Sequence, residues 1–108
     1  MQSDRYRIIA FDGGLDVSRY PDFRFAFQKV ADDVPLVVDL TAVEHVDSTF
    51  LSELLMLRRR RESPMVVVVE PRSNVARIME IVEFSAKMTV VHDVPAALAA
   101  CGVQPEEV

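Results

Sequence analysis

The chain has 108 residues, half of them hydrophobic and 27% charged, with a formal net charge of -5. That length accommodates one domain, expected over 1–108 with its core at about 6–100, and not two. The composition is too apolar for intrinsic disorder, and the negative balance disfavours non-specific contact with nucleic acid or an anionic membrane, so protein partners are expected.

The opening stretch, MQSDRYRIIAFDGG, holds no apolar core of signal-peptide length, and no window approaches the roughly 20 apolar residues of a membrane span. A cytoplasmic location and no membrane insertion are the expectation. Tyr6 to Phe11 has strand composition, and Asp12, Gly13 and Gly14 are expected to turn the chain. From Ser18 to Asp32, Tyr20, Phe23, Phe27 and Val30 recur at helical spacing, with Pro21 tolerated in the first turn. Phe23 and Phe27 are expected in the core, and Phe25, off that face, partly exposed.

Leu36 to Leu40 (LVVDL) has the length of a buried strand, with Val43 and Val46 expected in the loop after it. Leu51, Leu54, Leu55 and Arg58 then define a helix from about Ser48 to Arg60, stopped by Ser63 and Pro64. The basic run Arg58 to Arg61 is expected as its solvated end, where cations favour the helix dipole, with docking of an acidic partner as the other reading. Met65 to Glu70 (MVVVVE) is the most strand-like run and is expected to be central in a sheet. Val75, Ile78, Met79 and Val82 repeat the helical spacing, with Ser73 placed to cap. Met88 to Val91 is expected as an edge strand and Val94 to Ala100 as a last helix, with Cys101 a small residue near it. A single cysteine forms no intramolecular disulfide and suggests neither a zinc site nor a redox pair. Strands alternating with helices imply an α/β fold: a mostly parallel central sheet of about 4–5 strands with about 4 helices.

One polar cluster, His45, Asp47, Ser48 and Thr49, falls between a strand and a helix, where sites gather in parallel sheets. Three readings of Ser48 compete. It could cap the helix with Asp47, although Leu51 stands where a capping box would have glutamate or glutamine. It could be a nucleophile with His45 as base, but no GxSxG elbow and no triad context surround it or His92. It could accept a phosphoryl group, which would add about -1.5 to -2 charges at the favourable end of the helix dipole. No metal-ligand spacing and no phosphate-binding loop is present, so no metal, cofactor or catalytic residue is expected.

Over roughly Tyr6 to Ala100 the chain resembles the STAS domain family, named for sulphate transporters and anti-sigma factor antagonists, and especially the small stand-alone antagonists. The marks are GGLD at Gly13 to Asp16, Pro21-Asp22-Phe23-Arg24, VVDLTAVEHVDST ending at Thr49, and Leu51 with Leu54. The resemblance implies a STAS-like single domain that is not an enzyme but a partner switch. An anti-sigma factor serine kinase would bind it when Ser48 is unmodified and release it on phosphorylation of Ser48, and a phosphatase would reverse the step. Thr49 is the second candidate acceptor. Asp16, Asp47, Thr49, Phe50 and Ser52 would join Ser48 on the partner surface. Phe50 and Ser52 stand where members typically have small residues, often glycine, and Phe50 could pack inward or reshape the surface; against the family pattern, the stretch before Tyr6 leaves room for at most an abbreviated extra strand. Two rivals remain open: an accessory subunit docked constitutively on an ABC transporter ATPase, and a non-phosphorylated scaffold or ligand-sensing module.

Overall fold

Alternation along the strands decides which face of the sheet each helix covers. The computed structural model describes residues 5–103. Four strands, β1 (Arg7–Leu15), β2 (Leu36–Val46), β3 (Met65–Val68) and β4 (Thr89–Val91), lie parallel in the order β1-β2-β3-β4. Helices α1 (Tyr20–Gln28), α2 (Ser48–Arg60) and α3 (Asn74–Ile81) form the crossovers, and α4 (Val94–Ala100) follows β4. The sheet advances by one neighbour at each crossover, so right-handed connections place α1, α2 and α3 on a single face. Leu36, Val38 and Leu40 of β2, with Met65 and Val67 of β3, share a core with Phe23, Leu54 and Met79 on that side. Val37, Val66 and Val68 turn the opposite way and meet Ala97 and Leu98 of α4. β3 is buried at every residue, which is why it reads as an unbroken valine run.

The expected α/β architecture is therefore present, and among the described residues every strand pair is parallel, with β3 inside the sheet and β4 at its edge. Phe23 and Phe27 are buried and Phe25 is exposed, as their spacing implies. The stretch before Tyr6, with room for at most an abbreviated extra strand, falls largely outside the described residues.

Two expectations for strand ends are corrected. Asp12, Gly13 and Gly14 form no turn, since β1 runs through them to Leu15; and Val43 and Val46 belong to β2, buried, not to a loop. The pairing register explains both. Ala10 faces Asp39 but Asp12 faces Ala42, and Gly13 faces Val43 but Gly14 faces His45, so β2 gains an extra residue at each shift. An extra residue bends a strand and interrupts its alternation. The inward positions of β2 accordingly pass from a spacing of two at Leu36, Val38 and Leu40 to a spacing of three at Leu40, Val43 and Val46. Gly13 takes φ +68° in this bent segment, a value glycine adopts without steric cost. Arg19 Nη1 donates to the carbonyls of Asp12 and Gly14, at 2.8 and 3.2 Å, which holds the bend.

α1 is shorter than the stretch from Ser18 to Asp32: a 3-10 turn, Val17–Arg19, leads into it, and it ends at Gln28. The chain beyond it is fastened to the end of α2. Arg61, expected among solvated cations, is instead 6% exposed. Its guanidinium donates to the carbonyls of Ala31 (3.2 Å) and Val34 (2.6 Å) and lies 3.7 Å from an Asp32 carboxylate oxygen. Burial pushes its pKa down, and Asp32 opposes that. Asp32 in turn accepts from the backbone N–H groups of Glu62 and Ser63. Arg58, Arg59 and Arg60 do remain exposed.

Candidate functional site

Strands β1 and β2 end side by side, Leu15 opposite Val46, and the Asp47 N–H donates to the Leu15 carbonyl at 3.2 Å. Each strand is followed by an aspartate that caps the next element. Asp16 accepts from the backbone N–H and the hydroxyl of Ser18, opening the 3-10 turn. Asp47 Oδ1 accepts from the Phe50 N–H at 3.0 Å, opening α2. A side-chain oxygen in that position satisfies one of the donors that a helix start leaves unpaired.

The cap is thus Asp47 alone, and the reading of Ser48 as a capping residue is corrected. Ser48 is the first helical residue and is exposed, as is Ser52 one turn on, while Thr49 is half-buried. Phe50 is 0% exposed, so its expected place on the partner surface is also corrected. It shares a stripe with Leu54 and Leu57, at i+4 and i+7, and that stripe faces the core. Its ring meets Phe23 edge-on at 5.0 Å between centroids and Phe11 at 5.7 Å.

His45 faces Asp16. Its Nε2 stands 3.5 Å from Asp16 Oδ2, and its ring covers Gly14 so closely that a Cβ there would approach Cε1 to 2.2 Å. The Asp16 carboxyl is held below the usual carboxylate range, first by the Ser18 hydroxyl, then by the Ser18 N–H and by His45. Asp16, Asp47, Ser48 and Ser52 therefore gather at the carboxyl edge of β1 and β2 and the first turns of α2.

Ser48 and Ser52 form a ridge between two open grooves. One, of about 320 Å³, runs toward α1 and is lined also by Tyr20, Arg24, Thr49 and Glu53. The other, of about 180 Å³, runs toward the end of α3 and includes Leu55, Val82 and Lys87. Met56 and Val82 are 54% and 52% exposed on this side of the molecule. The sequence reading missed these flanking residues. Tyr20 and Arg24 are four apart and so share a helix face, a signal for the pair itself but not for its place beside α2. A separate hollow of about 310 Å³, with Val69, Met79, Glu80 and His92 in its lining, lies between α3 and β4. Among the described residues no helix is long and apolar enough to cross a membrane.

The family profile described as STAS domain matches residues 1–97. The crystal structure of an anti-sigma factor antagonist from Mycobacterium paratuberculosis is similar in fold, with a TM-score of 0.85 over 94% of this chain and 90% of that one, at 23% sequence identity. No curated protein matches the sequence significantly.

Proposed function

The chain belongs to the STAS domain family, and on that premise we propose that it is an anti-sigma factor antagonist, a non-enzymatic partner switch controlled at Ser48. The observation that carries this reading is the division of labour at the start of α2: Asp47 supplies the cap, which leaves the Ser48 hydroxyl out of it and exposed. A residue in that position can be modified without removing a structural hydrogen bond. The anti-sigma factor serine kinase binds the ridge when Ser48 is free. It transfers the γ-phosphoryl group of ATP to Ser48 Oγ, the hydroxyl proton being lost and ADP leaving, and a phosphatase later hydrolyses the ester.

The physics of release is electrostatic. A phosphoryl group of about -1.5 to -2 charges suits the helix start and leaves the fold intact. A partner covering the same ridge would have to desolvate that charge beside Asp47, at a cost on the order of 2 to 5 kcal/mol in binding. Asp16, Asp47 and Ser52 form the polar part of the contact, and Met56 and Val82 supply apolar area.

The test is site-mapped intact mass after incubation with the candidate kinase and ATP. One phosphoryl group on Ser48, lost in Ser48→Ala, is the expected result. Modification confined to Thr49 would move the switch by one residue, and none at all would overturn it.

A further inference from the structure

The groove between α1 and α2 contains a ready-made ion pair beside Ser48. Arg24 Nη1 lies 3.5 Å from Glu53 Oε1, joining the two helices. The partners are unequally held: the Glu53 side chain is 13% exposed and that of Arg24 is 50% exposed. Arg24 also donates to the Tyr20 hydroxyl one turn back, and its guanidinium carbon stands 5.5 Å from the Tyr20 ring centroid. Ser48, Thr49 and Ser52 line the same space, in which Arg24 and Glu53 are the charged residues. The unmodified groove is therefore balanced, one cation against one carboxylate.

We infer that Arg24 is the internal receiver of the phosphoryl group on Ser48, leaving Glu53 to pair with it. This rests on Ser48 being the phosphoacceptor. Phosphorylation places about -1.5 to -2 charges in a groove whose cation already serves a single carboxylate. A guanidinium presents a planar fork of donors that matches phosphate oxygens, and a dianion attracts it more strongly than a monoanion at equal distance. Arg24 is the half-exposed member and can swing; Glu53 is the covered one and stays. The consequence reaches beyond the modified residue. Glu53 loses its ion-pair partner and the Arg24–Glu53 link opens, while Arg60, which lines the adjoining hollow with both, still joins α2 to the Phe27 carbonyl of α1 at 3.4 Å; a partner reading the groove meets a changed charge pattern as well as the phosphate. Lys87, in the opposite groove with Ser48, is the competing cation, but an ammonium offers a point charge and no fork.

The test installs phosphoserine at position 48 during synthesis of the full chain, in the parent and in Arg24→Gln, Arg24→Lys and Lys87→Gln. Phosphorus NMR follows the second phosphate ionisation, normally at about pH 6, with circular dichroism confirming each fold. An opposed cation favours the dianion and lowers that midpoint. Arg24→Gln is expected to raise it by about half a unit or more, Arg24→Lys to restore much of the difference, and Lys87→Gln to leave it in place. An unchanged midpoint in Arg24→Gln, or a shift belonging to Lys87→Gln instead, overturns the inference. Since no kinase takes part, failure here is distinct from failure of Ser48 to be phosphorylated enzymatically.

Discussion

Gly14 and His45 are cross-strand partners, and the imidazole occupies the space in which any side chain at position 14 would have to stand. A Cβ there would come within 2.2 Å of Cε1 and 2.5 Å of Nε2. Gly14→Ala is predicted to displace the half-exposed His45 ring from Asp16 and, because that ring can swing into solvent, to stay within about 0.5 kcal/mol of the parent. Urea denaturation checks the second part. Carboxyl-carbon NMR checks the first, because Asp16 should titrate higher once His45 has moved.

The pH dependence of the same loop has a definite sign. The Asp16 carboxyl is held low chiefly by the Ser18 hydroxyl, then by the Ser18 N–H and His45. A carboxylate with a depressed folded-state pKa stabilises the fold above its unfolded value, about 3.9, and that contribution is lost as pH falls through the folded value. Ser18→Ala is predicted to raise the Asp16 pKa and to make the urea midpoint fall less between neutral pH and about pH 3. An acid limb identical to the parent's would remove Ser18 from this role.

Capping by Asp47 and not by Ser48 separates two substitutions one residue apart. Asp47→Ala is predicted to cost about 1 kcal/mol, with Asp47→Asn retaining most of it, because asparagine offers the same acceptor oxygen. Ser48→Ala is predicted to stay within about 0.5 kcal/mol of the parent. Thermal denaturation of the three variants decides between them.

Phe50 carries a structural load that its place beside Ser48 conceals. It is fully buried against Phe11, Phe23 and Phe27. Phe50→Ala is predicted to destabilise by about 3–5 kcal/mol, whereas Phe25→Ala, on the exposed face of α1, should remain within about 0.5 kcal/mol. Equal losses in denaturant titrations would contradict the packing described.

Local chemistry made much of this fold legible. α2 runs from Ser48 to Arg60, the bounds its leucine spacing and the following Ser63-Pro64 imply, and Ser73 caps α3 through the Ala76 N–H. The failures are at long-range pairings. Asp12-Gly13-Gly14 has turn composition, and only the β1–β2 register shows that these residues bend a continuing strand. Val43 and Val46 look like loop residues because the extra residues of β2 replace alternation with a spacing of three. Arg61 belongs by composition to a solvated basic run, yet the carbonyls of Ala31 and Val34, some thirty positions earlier, hold it inside. At the site, the nearness of Asp16 to the Asp47–Ser48 corner follows from β1 lying beside β2, and the Arg24–Glu53 groove from α1 lying beside α2. No local pattern encodes either neighbourhood.

The most direct test of the proposed switch is calorimetric: the affinity of a candidate anti-sigma factor kinase for the unmodified chain, compared with the same chain carrying phosphoserine at position 48. Tight binding of the first and weakening by at least about thirty-fold in the second are expected, the lower bound set by the cost of roughly 2 to 5 kcal/mol for burying the added charge. Equal affinities would contradict the switch and leave the ridge of Ser48 and Ser52 a docking face indifferent to phosphorylation.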